Sequence, residues 1–153
     1  MGIEIERKFL VLPALLPPLP PPLRFEQGYL CTKPTVRVRL IEGTSGARSG
    51  QLTIKGSGLV SRPEFEYEVP AADAEELLRL CSRSLRKQRH RLGRWEIDRF
   101  EDIEAPDGGP LWLAEIELAS EEEPFERPAW LGPEVTSDPR YANSALARPR
   151  QQD

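Results

Sequence analysis

Glu4-Ile5-Glu6-Arg7-Lys8-Phe9-Leu10-Val11 sets an acid, an acid and a base at every second position. Side chains along a β-strand alternate between faces, so Glu4, Glu6 and Lys8 share one face and Ile3, Ile5 and Phe9 share the other. Two carboxylates one pleat apart repel unless something positive lies between them, and a divalent cation held by oxygen ligands meets that need. The same coding recurs downstream. Arg37 and Arg39 oppose Val36, Val38 and Leu40; Lys55 and Thr53 oppose Leu52 and Ile54. Glu64, Glu66 and Glu68 oppose Phe65, Tyr67 and Val69, and Lys87, Arg89 and Arg91 align. Glu96 and Asp98 oppose Trp95 and Ile97, and Glu115 and Glu117 oppose Ala114, Ile116 and Leu118.

A solvated sheet face mixes sizes and signs and includes Ser, Thr, Asn and Gln. These faces are almost purely Glu, Asp, Lys and Arg, with the signs grouped strand by strand. The opposite faces are continuous enough in apolar residues to need a cover. Helices lying outside the sheet would supply it and leave the charges to line an interior. Strand signals fall near residues 2–11, 25–31, 35–42, 50–56, 63–69, 85–92, 94–101 and 111–119. Strands joined mostly by hairpins form one antiparallel sheet, and closing it removes its edges. The expected fold is therefore α+β but mainly β: a closed eight-stranded antiparallel barrel with a charged lumen and a few short outer helices.

The 153 residues fit a single domain over 1–147, with a proline-rich connector at 12–24 and a frayed tail at 148–153. Pro17-Pro18-Leu19-Pro20-Pro21-Pro22 lacks amide donors and suits polyproline II rather than a central strand. Pro70 to Ser84 reads as an amphipathic helix with Asp73, Glu75 and Glu76 in its first turns. Ser120 to Glu123 resembles a capping box for a short helix. Asp138-Pro139 sets an N-cap for a helix through about Ala147. Hydrophobic residues make up 39% and charged residues 30%, a globular composition. The net charge of -4 does not advertise a nucleic-acid binder. No run is long enough to span a membrane as a helix and no leader pattern opens the chain, which favours a cytoplasmic protein, monomer or homodimer. Cys31 and Cys81 form no motif and read as two buried thiols. His90 is the only histidine, which argues against a zinc site or a Ser-His-Asp triad.

A charge-lined interior cannot be dry, because an unpaired ion away from water costs several kcal/mol. Lys8, Arg37, Arg39, Lys55, Lys87 and Arg89 suit a polyanion, with arginine forks matching phosphate oxygens. Glu4, Glu6, Glu115 and Glu117 suit magnesium or manganese. A polyphosphate carrying its metal answers both halves.

These residues resemble the ExExK signature and the ordered strands of the CYTH superfamily, the triphosphate tunnel metalloenzymes, and in particular its short bacterial inorganic triphosphatases. The opening strand carries ExExK. Gln27-Gly28-Tyr29-Leu30 is similar to the second strand, and Arg37-Val38-Arg39 to the RxR strand. Leu52-Thr53-Ile54-Lys55 follows, then Arg62-Pro63-Glu64-Phe65-Glu66 as RxExE. Lys87-Gln88-Arg89, Glu96-Ile97-Asp98 and Glu115-Ile116-Glu117 resemble the KxR, ExD and ExE strands. Trp130 to Ala147, with Asn143, resembles the closing segment and plug helix. Two departures stand out: the proline-rich segment after the first strand, and a plug with Ala142 and Ser144 where lysines are more usual.

The resemblance implies metal-dependent hydrolysis of a triphosphate. Glu4, Glu6 and Glu117 would hold the Mg2+ or Mn2+, with Glu115 close by. Arg37, Arg39, Lys55 and Arg89 would bind phosphates, with Lys8 and Lys87 near the scissile end. Glu64, Glu66, Glu96 and Asp98 would be supporting tunnel acids. The expected reaction is hydrolysis of inorganic triphosphate to pyrophosphate and phosphate. The water is expected to be activated either by a second metal held by the other acids or by a lysine, with Lys87 or Lys8 favoured; Tyr29 is a weaker candidate for general base. A small-molecule triphosphate is the expected partner, with neither membrane nor nucleic acid. Alternatives are a thiamine or other organic triphosphatase, a class IV adenylate cyclase, and a non-catalytic polyphosphate- or nucleotide-binding module.

Overall fold

The computed structural model describes residues 2–150. Ten strands form along the chain: β1 Gly2–Val11, β2 Leu23–Thr32, β3 Thr35–Glu42, β4 Arg48–Lys55, β5 Ser61–Val69, β6 Arg83–Leu92, β7 Trp95–Glu104, β8 Pro110–Glu117, β9 Leu131–Glu134 and β10 Arg148–Pro149. Two helices join them, α1 Ala71–Leu80 and α2 Asn143–Leu146. β1 to β8 are antiparallel to their neighbours in the order β6-β2-β3-β4-β5-β1-β8-β7, and β6 pairs with β7 to close the ring. The fold is thus a closed eight-stranded barrel. β9 adds to β1 and β10 to β6 outside that ring.

Closure sorts the alternating residues. The apolar side chains pack in three patches, two of them on the outer face of the barrel. Phe9, Trp95, Ile97, Ala114, Ile116 and Trp130 form one, with Leu16, Leu19 and Phe125 laid on it. Val38, Ala74, Leu78 and Cys81 form a second, under α1. α1 can lie this close because Gly28 and Gly50 have no Cβ: one there would come within 2.8 Å of Cys81 and Ala74. The third patch lies at one end of the barrel. Leu85, Phe100 and Leu113, joined by Leu10, share strand faces with Lys87, Asp98, Glu115 and Lys8, so the lumen changes there from charged to apolar. Tyr141, Leu146 and Ala147 pack on that level and stopper it.

Several expectations are corrected. The outer cover is only partly helical: over β1, β7 and β8 it is the proline-rich segment and the 118–131 loop. The proline-rich segment ends sooner than 24, because Leu23 and Arg24 already pair with Arg89 and Gln88 of β6. Its Pro20 carbonyl lies 2.7 Å from His90 Nδ1, and its leucines Leu16 and Leu19 are packed down. Ser120 starts no helix; Glu123 instead accepts the Ala119 amide and an Arg94 guanidinium, and Pro124 ends the turn. The helix expected from Asp138 to Ala147 is broken at Ala142, whose ψ of 137° is extended. Cys31 is exposed while Cys81 is buried, because the β2–β3 register shifts between Tyr29 and Cys31 and resets the alternation. The tail is not frayed from 148: Arg148 and Pro149 pair with Ser84 and Arg83. The Arg150 side chain donates to the Leu78 carbonyl at the end of α1. Residues 151–153 of that expectation lie outside the described residues. Among the described residues, no helix is long and apolar enough to cross a membrane.

Candidate active site

The ring order divides the lumen into two walls. β5, β1, β8 and β7 are consecutive around the barrel and bring Glu64, Glu66, Glu4, Glu6, Glu115, Glu117, Glu96 and Asp98 side by side. β6, β2, β3 and β4 complete the circle and carry Lys87, Arg89, Arg37, Arg39 and Lys55, with uncharged Phe25, Gln27 and Tyr29 on β2. Lys8 and Arg62 are the cations on the acidic side. A cavity of about 320 Å³ runs between the walls. Every residue expected to act at the site lines it except Asp98, which lies fully buried behind Lys87 and Arg89.

Ion pairs concentrate at the two seams where the walls meet. At the β6–β7 seam Asp98 accepts from Lys87 Nζ at 2.7 Å and from Arg89 Nε and Nη2 at 2.8 Å. Arg89 also donates to Glu96 at 2.7 Å. At the β4–β5 seam Lys55 Nζ donates to Glu4 at 2.9 Å and lies 3.6 Å from Glu64, while Arg62 reaches Glu4 at 3.4 Å. Within the acidic wall Lys8 lies 3.6 Å from Glu115 and donates to the Tyr141 carbonyl at 2.9 Å.

The remaining wall charges stand unneutralised. Among the described residues Arg37, Arg39, Glu6 and Glu117 form no ion pair. Arg37 Nη2 donates to Thr53 Oγ1 at 3.1 Å, but its buried Nε has no partner. Arg39 Nε donates to the Gln27 carboxamide at 2.9 Å. Burial, aided by Arg37 and Arg89, pushes the Arg39 pKa well down. On the facing wall, burial together with the Glu115 and Glu4 charges raises the Glu6 carboxyl to about 8. A hydrogen bond from the Glu4–Glu64 pair raises Glu64 to about 7, with burial adding to it. Burial raises Glu117 too, helped by Glu4 and Glu96. Glu4, Glu115 and Asp98 behave oppositely. Glu4 and Glu115 fall to about 2 despite burial, Glu4 held by its hydrogen bond with Glu64 and then by Lys55, and Glu115 by Lys8 and Arg89. Asp98 is held low by Arg89 and Lys87. Lys87 is pushed down to about 7 by burial and by the Arg89 and Arg39 charges, against the pull of Asp98.

Three further side chains belong to the site. Gln27 is fully buried, and its Nε2 donates to the Tyr29 hydroxyl at 3.0 Å and to Asn143 Oδ1 at 3.4 Å. Asn143, turned inward where the closing helix breaks, accepts from Lys87 Nζ at 2.9 Å. Phe25 lies among Arg39, Arg89 and Lys87. Their sequence signal was slight: Phe25 and Gln27 share alternation with Tyr29, but neither is charged. Tyr29 is buried and its phenol is pushed up by that burial, so it stays protonated and is poorly suited to act as a base.

The CYTH domain model matches residues 2–145. An inorganic triphosphatase of Acetivibrio thermocellus is 38% identical over 97% of this chain and 95% of its own length. An inorganic triphosphatase of Nitrosomonas europaea is 39% identical over 94% of this chain and 96% of its own. A crystal structure of an inorganic triphosphatase superposes with a TM-score of 0.59 at 31% identity, covering 96% of this chain and 95% of that one.

Proposed function

This chain belongs to the CYTH domain family, and from that premise we propose that it hydrolyses inorganic triphosphate to pyrophosphate and phosphate between the two walls of its barrel. The observation that carries the reading is the pair of unneutralised wall centres: Arg37 and Arg39 face Glu6 and Glu117 across one cavity. A bare polyanion would answer the first and not the second. A polyphosphate bearing a divalent cation answers both. The preference for an inorganic substrate rests on the aromatics. Trp95 and Trp130 are packed on the barrel's outer skin and Trp112 stacks on His90, so no tryptophan lines the cavity to receive a base or thiazole.

The donor set fits a hard cation. Glu4, Glu6, Glu115 and Glu117 offer only carboxylate oxygens, and Glu6 and Glu117 have no cation paired with them, burial first and neighbouring carboxylates second raising both. Among the described residues no three acids are gathered into a ready cage. That suits magnesium or manganese, which keep several waters and use one or two carboxylates together with substrate phosphates. When bound, the ion draws charge from the phosphoryl oxygens.

The chain's own residues do the rest. Arg37 and Arg39 grip phosphate oxygens with forks that no carboxylate occupies. Arg89, fixed by Asp98 and Glu96, and Lys55, fixed by Glu4, flank the chain at the two seams. These groups are aimed before substrate arrives, so they stabilise charge on the transferring phosphoryl group without reorganising. A water oxygen bonds to a terminal phosphorus, the bond from that phosphorus to its bridging oxygen breaks, and pyrophosphate leaves. Lys87 Nζ, with its pKa near neutrality, takes the water's proton; Lys8, bound to the Tyr141 carbonyl, is the second candidate. A cytoplasmic location belongs to the same reading.

Incubation with tripolyphosphate, ATP and thiamine triphosphate, each with magnesium, manganese or EDTA, tests it. Phosphate release chiefly from tripolyphosphate, abolished by EDTA, is expected. Cyclic AMP from ATP, faster release from thiamine triphosphate, or tight binding without turnover would overturn it.

A further inference from the structure

β2 runs through the middle of the basic wall, between the cationic strands β6 and β3, and carries no charge on its tunnel face. Phe25 on that strand is 3% exposed. Its ring centroid lies 4.3 Å from Arg39 Cζ, 5.0 Å from Arg89 Cζ and 5.9 Å from Lys87 Nζ. Three cations gathered at one point repel each other. A carboxylate among them would relieve the repulsion, as Asp98 does for Lys87 and Arg89, but it would also cancel the positive potential an incoming anion needs. An aromatic face attracts cations through its quadrupole and brings no net charge. The second partner of Arg39, the Gln27 carboxamide, is neutral as well. Arg39 is therefore held on two sides with its whole charge still free for a ligand.

We propose that Phe25 is a positioning residue for triphosphate, its ring face holding Arg39 in the tunnel as an uncancelled cation beside Arg89, whose own charge is paired with Asp98 and Glu96. The inference rests on the reading of the tunnel as a triphosphate site. It differs from a packing role, because the electrons of the ring matter and not only its bulk.

The test replaces Phe25 with 4-fluoro-, 3,5-difluoro- and 3,4,5-trifluorophenylalanine, which keep the shape while draining the ring face. Titration calorimetry with tripolyphosphate in EDTA gives Kd, thermal unfolding gives Tm, and steady-state kinetics with magnesium give KM and kcat. Kd and KM should rise stepwise along the series, by about tenfold at the trifluoro member, the scale of one cation–π contact. Tm should hold nearly constant, and kcat should fall by less than KM rises. Phe25→Leu, which keeps apolar bulk without a quadrupole, should weaken binding at least as much. A flat Kd along the series, or a Phe25→Leu variant that binds as the native protein does, would overturn the proposal alone. Failure of the native protein to hydrolyse tripolyphosphate with magnesium would overturn the reading beneath it and the proposal with it.

Discussion

The two walls of the tunnel carry opposite charges and hold them by different means. On the acidic wall the crowded groups are free to become neutral. Glu6 rises to about 8 and Glu64 to about 7, so in the absence of a cation protons relieve the repulsion. Guanidinium groups keep their protons under ordinary conditions. The centre of the basic wall is therefore held by uncharged partners instead: Thr53 for Arg37, and Gln27 and Phe25 for Arg39. The acidic wall is adjustable and awaits a cation; the basic wall is fixed and awaits an anion. Neutralisation from within is found at the seams, where Asp98 and Lys55 reach across, and at Glu115 beside Lys8.

Substitutions should separate the walls, the largest effect coming from the adjustable one. Glu4→Gln together with Glu6→Gln should cut magnesium-dependent hydrolysis by about a thousandfold or more, the scale of a lost electrostatic stabiliser. Circular dichroism should remain native. A full magnesium-dependent rate in the double variant would remove these two acids from the metal site. On the fixed wall, Arg39→Ala should lower kcat/KM for tripolyphosphate by about 10- to 100-fold, as expected for lost charge-assisted hydrogen bonds. Arg39→Lys should recover only part of that, since a point charge does not replace a fork. Full recovery would show that charge alone suffices there.

At the seam, Lys55→Ala should raise KM and lower turnover by about tenfold, and should also lower Tm because Glu4 loses its nearest cation. Unchanged kinetics would leave the β4–β5 seam with a structural role only. The acidic wall should further reveal itself through pH. Glu6, Glu64 and Glu117 have folded pKa values above the ordinary 4.5, so the folded chain binds more protons than the unfolded one above that pH. Their stabilisation is complete below pH 4.5 and is lost as the pH rises through the folded values. In EDTA, Tm should therefore fall between about pH 4.5 and 7 by several degrees, and magnesium should flatten the fall. Above about pH 7 the depressed Lys87 contributes in the opposite sense, which makes the lower window the diagnostic one. A rising Tm across that window would contradict the crowding of the acids. The smallest effect belongs to Arg91 at the mouth, whose side chain is 67% exposed with Glu96 4.0 Å away. Arg91→Ala should change kcat/KM by about twofold or less, since exposed pairs contribute little.

Much of this was legible in the chain because a strand's alternation is a local property. Glu4, Glu6 and Lys8 announce their shared face without reference to any partner, and each charged strand repeats the statement. The neighbours of a strand are another matter. That β1 lies between β5 and β8, so that their acids merge into one wall, is set by pairings such as Glu6 with Glu117, more than a hundred residues apart. The unneutralised wall centres were equally invisible, because which cation meets which acid depends on that order. Neutral members of the site escaped for a different reason. Phe25 and Gln27 do their work without a charge, and Asn143 acts only because the closing helix breaks at Ala142 and turns it inward. The exposure of Cys31 follows from a one-residue register shift that no pattern of hydrophobicity marks.

The most direct measurement is a crystal structure with tripolyphosphate and manganese, recorded at a wavelength where manganese scatters anomalously. The anomalous peak should fall among Glu4, Glu6, Glu115 and Glu117, with the phosphate oxygens on Arg37, Arg39 and Arg89 across the cavity. A peak and a phosphate chain bound outside the barrel, or both lodged on the same wall, would contradict the two-walled tunnel.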